Sequence, residues 1–358
     1  MLKILDRYIL KKFLGTFFIT ISMFSLIAIV IDVSEKVEDF FRPDITMKDI
    51  IWDYYMGFVP WLYGLLAPIL VFISVIFFTS KMAAQTEIIP ILSTGINYRR
   101  FLRPYIIGGV FLTLLSLLMT HFIIPNATKG KLAFETKMNY SDFSDFSNIH
   151  KEINPGEFLS IRTYSQKSDI AYNFNYDIII KGQLLSRFSA ASLKWEESSQ
   201  SWIARNWHIR LITDSTEVLK QGLVLDTVFS FKNTEFHQKP SIISVMNYFE
   251  INDYIEAEKR KGSRYVKIYE LEQVKRTAIP CSILVLTIIG VAISSRKAKG
   301  GIGMHIAYGM GLASSYVFLG KVAEVFAVNT PLSTTVAVWL PNFIYLGIAL
   351  YLYQKTPK

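Results

Sequence analysis

The residue types that make and break covalent bonds occur in this chain, but nowhere at a spacing that would use them. Its five histidines, His121, His150, His208, His237 and His305, are scattered and show no metal-ligand spacing. The adjacent carboxylates Glu196 and Glu197 fall in a polar turn, where a solvated role is expected rather than acid–base work. The patterns HExxH, GxSxG, GxxxxGK[ST] and GxGxxG are all absent. The single cysteine, Cys281, excludes an intramolecular disulfide and a Cys-rich metal centre, and reads as a small buried hydrophobe. We therefore expect a non-catalytic chain that binds no metal or cofactor. Any nucleotide that drives its work should sit on another chain.

What remains is charge placed for recognition. Glu87 is the only acid between Lys81 and Arg103, and would be a natural partner for an arginine on another protein. Lys36 stands among Asp32, Glu35, Glu38 and Asp39. Lys321 and Glu324 are the only charges in a long apolar run; at i,i+3 they share a helix face and can pair. Counted from Met304 at ~1.5 Å per residue, Lys321 lies about 25 Å along its helix. That is near an interface, where it can snorkel or hold an anionic headgroup.

The elements that position these charges follow from hydropathy. A bilayer core needs roughly 20 apolar residues of helix. Six stretches qualify: Phe13 to Ile31, Tyr54 to Ser80, Pro104 to Ile124, Thr277 to Ser295, Met304 to about Val328, and Leu332 to Gln354. The first has a basic lead but too long a body for a signal peptide, and Asp32-Val33-Ser34-Glu35 offers no cleavage site, so it reads as a retained helix. One set of helix ends carries Lys3, Arg7, Lys11, Lys12, Lys81, Arg99, Arg100, Arg103, Arg296, Lys297, Lys299, Lys355 and Lys358 against only Asp6 and Glu87. The loop between the first two spans is acidic, with Asp44, Asp49 and Asp53 among its carboxylates. The basic side is expected to be cytoplasmic, both termini with it. The net charge of +9 is then a topology signal and needs no nucleic-acid partner.

The insert between the third and fourth spans reads as a β-domain on the opposite side. In Tyr172-Asn173-Phe174-Asn175-Tyr176-Asp177-Ile178, aromatic and polar residues alternate. Leu223, Leu225, Thr227, Phe229 and Phe231 do the same, and Ile203, Arg205, Trp207, Ile209 and Leu211 suggest a further strand after a turn between Trp195 and Trp202. A sandwich or jelly roll would fit. Four of the aromatics, Phe174, Tyr176, Phe229 and Phe231, form either a plain core or a path for acyl chains. The expected segments are 1–125 for the first three spans, 126–246 for the β-domain, 247–276 for a helical connector opening on the Asn247…Glu250 spacing and stopped by Gly262, and 277–358 for the last three spans. Gly301, Gly303, Gly309, Gly311, Ser314 and Ser315 let the fifth span pack closely or slide.

Between the second and third spans, residues 81–95 predict a short helix from about Met82 to Gly95, kinked at Pro90 and showing Met82, Ile88, Ile89, Ile91 and Leu92, with Asn97 capping a second. Such an apolar elbow lies on the bilayer or docks in a groove of a soluble ATPase. In the second case Glu87, Ile88, Ile91, Leu92, Arg99 and Arg100 carry the coupling.

Taken in order, these features resemble the LptF/LptG family of lipopolysaccharide-export permeases. The resemblance rests on Leu5-Asp6-Arg7-Tyr8-Ile9, Pro60 with Pro68, Glu87-Ile88-Ile89 with Gly95, Ile124-Pro125-Asn126, and Tyr254-Ile255…Lys259-Arg260-Lys261-Gly262…Tyr269-Glu270. It implies a multi-pass inner-membrane protein with six spanning helices and a periplasmic antiparallel β-jellyroll. It further implies pairing with a second F- or G-type subunit around a central cavity, and a cytoplasmic ATPase dimer that binds ATP and Mg. Lipopolysaccharide would be drawn from the inner membrane and passed to periplasmic LptC/LptA-like bridge proteins for outer-membrane biogenesis. Glu87 matches the family's coupling glutamate, and the first and fifth spans match its lateral gate, with Lys36, Lys321 and Glu324 as headgroup candidates. The opening motif is closer to the G type. G-type members, however, carry several lysines near the outer end of the first helix, where this chain has only Lys36. The alternatives are a permease for another envelope lipid, and a sensor or scaffold for an extracytoplasmic ligand.

Overall fold

The computed structural model describes residues 3–43, 45–137, 146–165, 168–180, 182–213, 216–231, 240–263, 265–295 and 301–355. Asp44, His237, Arg296, Lys297, Lys299 and Lys358 lie outside them. The chain divides into a helical unit (residues 1–138, 243–249 and 267–358) and a β-rich unit (139–242 and 250–266).

Among the described residues, six helices are long and apolar enough to cross a membrane. Helix α1 is Ile4–Glu35 and α2 spans Asp49–Ala84. The elbow helix α3 is Ile88–Ser93. Helix α4 is continuous through Tyr98–Leu118, a π-helical turn at Met119–Ile123, and Ile124–Lys137, so the third span runs past the boundary expected at residue 125. Helix α5 is Tyr248–Arg260; α6 is Val266–Ser294, joining the expected connector and fourth span in one rod; α7 is Gly301–Asn329 and α8 Thr334–Lys355.

The helical unit packs around several apolar clusters; one seats α7 and α8 on α2 and α6 through Ile76, Leu286, Ala313 and Tyr345, and another, the main seam, joins α1, α2, α4 and α6. Ile9, Phe13 and Phe17 of α1 meet Val71, Val75 and Phe78 of α2, Phe101, Tyr105 and Leu112 of α4, and Ile283 and Val291 of α6. Gly309 of α7 lies so close to Ile76 of α2 that a side chain there would collide with it, whereas nothing stands near Gly303 or Gly311. Of Gly303, Gly309 and Gly311, Gly309 alone serves close packing, while Ser315 shares a hydrogen bond with the Tyr345 hydroxyl of α8. Backbone groups freed inside the span find side-chain partners, as a membrane interior requires. Pro280 leaves the Arg276 carbonyl without its helical donor, and Thr120 donates to it at 3.0 Å. Asn342 donates to the Ala278 carbonyl at 2.7 Å while accepting from Tyr316 at 2.8 Å.

The β-rich unit holds six antiparallel strands in meander order: β1 Phe146–Asn154, β2 Glu157–Ser165, β3 Ile170–Ile180, β4 Gln183–Glu196, β5 Ser201–Thr213 and β6 Thr216–Thr227. Each described strand pairs with its sequence neighbours. The turn between Trp195 and Trp202 is where the sequence places it, and the two indoles pack edge to face across it.

Strict alternation does not survive. In β2 to β6 the inner face is held by Ile161 then Tyr164, Phe174 after Ala171, Ala190 then Leu193, Ala204 then Trp207, and Gly222 then Leu225. Each strand carries two successive outward residues at the same level: Arg162-Thr163, Tyr172-Asn173, Ala191-Ser192, Arg205-Asn206 and Leu223-Val224. Because every strand steps together, the pairing register is unchanged across the step. Asn173 and Asn206 absorb it with left-handed backbones, φ 50° and 49°, a conformation Asn tolerates better than most residues. Tyr172 and Leu223 consequently face outward, Leu223 at 78% exposure, contrary to the alternating reading. Trp202 and Ala204 are buried on the inner face and Arg205 is exposed, and Trp207 lies against Gly222, where a Cβ would meet the indole at 2.9 Å.

Candidate functional site

The elbow forms two helices where the sequence suggests one. The second span continues to Ala84, which buries Met82 in the seam instead of showing it. Thr86 breaks the helix with φ 58°, and the Glu87 amide donates back to the Met82 carbonyl at 3.0 Å. Glu87 then caps α3. Pro90 falls in the first turn, where no amide is needed, so it introduces no kink. Ser93 and Thr94 hydroxyls bond the Pro90 and Ile91 carbonyls at 2.9 and 2.8 Å. Gly95, with φ 81°, ends the elbow. Asn97 caps the long α4, accepting from the Arg99 amide at 3.1 Å.

These local choices decide which residues a partner could touch. Ile88 is buried in the seam, and Ile91 and Leu92 pack half-buried against it, so these three anchor the elbow. Its outward surface is Ile89, Pro90, Ser93, Thr94 and Gly95, with Glu87 half-exposed at one end. The two arginines are engaged. Arg99 donates to the Tyr353 hydroxyl of α8 at 3.0 Å, beside the Tyr98–Tyr353 ring pair. Arg100 pairs with Asp6 of α1 at 2.6 Å, and Asp6 also accepts from the Lys3 amide at 2.8 Å. The Tyr8 hydroxyl reaches Glu87 at 3.4 Å, a long hydrogen bond. The elbow is thus tied to α1 by Glu87, and the adjoining foot of α4 is tied to α1 by Arg100 and to α8 by Arg99. Sequence reasoning assigned no role to Asp6, Tyr8 or Tyr353. The available signal was Asp6 itself, the lone acid in a basic lead, and acids rarely stand among lysines without a partner.

At the far end of α1, Lys36 is committed within the chain. It pairs with Asp32 at 2.9 Å, bonds the Tyr54 hydroxyl and lies over that ring. Asp32 also accepts from Tyr54 at 3.0 Å and Tyr55 at 3.1 Å. On α7, Lys321 pairs with Glu324 at 3.1 Å, and Glu324 reaches Lys275 of α6 at 3.2 Å. Lys275 in turn meets Glu272 at 3.6 Å. The Lys321 side chain is 69% exposed and remains the more accessible cation of the network.

In the β-rich unit the four aromatics come together. Phe229 and Phe231 stack at 5.0 Å and bracket Phe174 (5.7 and 5.9 Å) and Tyr176 (5.4 and 5.8 Å). Phe229 and Phe231 follow the end of β6 and cover the inner face; the Phe231 carbonyl accepts from the Trp202 indole at 3.2 Å. Beside these rings, Glu157 accepts from Tyr176 at 2.7 Å, Asn154 at 2.8 Å and Ser230 at 3.1 Å. Those donors, Tyr176 first, hold its carboxyl below the ordinary carboxylate range.

Among the described residues, no group of His, Cys, Asp and Glu is placed to hold a metal ion. No curated protein matches the chain. A family model described as lipopolysaccharide export system permease LptF/LptG matches residues 7–355.

Proposed function

The chain belongs to the lipopolysaccharide export permease LptF/LptG family, and from that premise we propose that it is the membrane subunit of an ATP-driven export complex in the inner membrane. It works beside a second permease subunit and above a cytoplasmic ATPase dimer, which binds the ATP and Mg. It draws lipopolysaccharide from the membrane and passes it by way of the β-domain to periplasmic bridge proteins. The match over residues 7–355, taking in elbow and β-domain alike, supports this reading above all. The basic ends of the spans support the orientation, with both termini and the elbow in the cytoplasm.

The elbow geometry supports the coupling step. An ATPase seated on Ile89, Pro90 and Glu87 would push on a body fastened to α1 through Asp6 and Tyr8 and to α8 through Tyr353. By resemblance to the family, α1 would form part of the lipid gate. The test is Glu87→Lys: export should cease and the ATPase should no longer co-purify, while the chain inserts and folds normally. Normal surface delivery of lipopolysaccharide by that variant would remove the assignment. For the acyl-chain path, Phe229 and Phe231 would have to lift from Phe174 for a chain to lie there.

One observation favours a second substrate reading, a lipid carrying fewer phosphates. Lys36, the lone lysine at the outer end of α1, is already neutralised by Asp32. Lys321 is then the remaining headgroup candidate. Photocrosslinking from position 321 should label native lipid more strongly than from the lipid-facing control Phe318, and equal labelling would remove Lys321 from the path.

A further inference from the structure

Between the first turns of α1 and the last turns of α2 lies a cavity of about 540 Å³, bordered toward the elbow by Tyr8, whose hydroxyl reaches Glu87. One face of α1 supplies Lys11, Lys12, Gly15, Thr16 and Ile19, and α2 supplies Phe77, Phe78, Lys81 and Gln85. Its size is within the ~300–1,000 Å³ of ordinary small-molecule sites. Its chemistry is divided. Three lysines from two helices stand at one end, and Ile19, Phe77 and Phe78, which lie further along both helices into the span, line the other. Nothing stands within 4 Å of where a Gly15 side chain would begin, so the floor is open.

Among the described residues, none of the three lysines makes an ion pair, unlike Lys36, Arg100, Lys275 and Lys321. A positive-inside bias accounts for lysines on this side of the membrane. It does not account for their convergence on one cavity with an apolar continuation. A neighbouring protein helix could fill the apolar part, but would have to bring carboxylates to the same end to match the three cations. An anionic glycerophospholipid satisfies both parts, with its phosphate among the lysines and its first acyl carbons along Ile19 and Phe77.

We propose that this cavity is a binding site for an anionic phospholipid of the cytoplasmic leaflet. The seated lipid would neutralise Lys11, Lys12 and Lys81 and wedge the start of α1 against the end of α2. From the preceding section it takes only the leaflet that this end of the helices faces.

The experiment uses the complete membrane complex in nanodiscs of phosphatidylethanolamine with phosphatidylglycerol, read by native mass spectrometry. Phosphatidylglycerol should be retained preferentially, with about a fivefold loss for each lysine changed to glutamine, and K11Q/K12Q/K81Q should bind the two lipids alike. A diazirine in the phosphatidylglycerol acyl chain should label Ile19 or Phe77. Undiminished phosphatidylglycerol retention by the triple variant would overturn the site, as would labelling no greater than at Phe326, at the other end of α7. Thermal unfolding of each variant checks that the fold survives. Thiol labelling of Lys355→Cys from either side reports the orientation separately, so a wrong leaflet and a missing site give different results.

Discussion

The ion pair between Asp6 and Arg100 joins α1 to the foot of α4, and its asymmetry gives a quantitative test. Asp6 is 2% exposed, while the Arg100 side chain is 28% exposed. Removing the arginine strands a buried carboxylate, which costs about 3–5 kcal/mol where no water can reach it. Removing the carboxylate charge leaves an arginine that is partly exposed although its Nη1 is buried, so Asp6→Asn should cost about 1.5–3 kcal/mol, the range of a lost charge-assisted hydrogen bond. Arg100→Gln is therefore the more damaging single change, by about 1–2 kcal/mol. The double variant D6N/R100Q strands neither charge, and should fall short of the summed single effects by about 2 kcal/mol. The assay is unfolding free energy in mixed micelles for all four proteins, alongside lipopolysaccharide delivery in cells. If the pair also transmits movement from the elbow to α1, the double variant should remain defective in export after its stability is largely regained. Equal single effects, or strict additivity, would refute the reasoning that a dry carboxylate dominates this contact.

Three further outcomes follow from the geometry. Glu157 has a depressed carboxyl pKa in the folded state, so its contribution to stability is present above the ordinary carboxylate range and is lost as pH falls through the folded value; Tyr176→Phe should move the Glu157 titration upward by carbon-detected NMR and shrink that acid-side loss. Asn206→Gly should be nearly neutral, because the left-handed backbone at φ 49° suits glycine, whereas Asn206→Val should cost about 1–2 kcal/mol in denaturant unfolding. Gly309→Leu should force Ile76 aside and cost about 1–3 kcal/mol, while Gly311→Leu, facing open space, should change unfolding little.

The six spans were legible because a bilayer imposes a length and a composition on each, and both are local. The β-domain was legible as strands for the same reason, since Tyr172 to Ile178 and the two tryptophans flanking Glu196–Ser201 carry short-range patterns. The common step of five strands was not legible. A single strand with two outward residues in succession looks like noise, and only the register that lines up Asn173, Ala191 and Asn206 makes it one feature. The elbow was misread for a related reason. A Met82 that fits an amphipathic helix also fits the last turn of a span, and the left-handed Thr86 that separates the two has no sequence signature.

Charge partners divide along the same line, and the division locates what is left over. Asp32 with Lys36 and Lys321 with Glu324 lie within four residues, so helical spacing alone suggests them. Asp6 with Arg100 and Lys275 with Glu324 join separate helices, and only the packed structure reveals them. Pairing each candidate in this way changes the meaning of the basic excess. Arg100 and Arg99 hold the foot of α4 to α1 and α8, and Lys36 is held by Asp32. Among the described residues, Lys11, Lys12 and Lys81 stand around one cavity without an ion pair. Opposite charge held within the fold fastens helices to one another; charge left uncompensated beside an open apolar slot is available to a lipid from outside the chain.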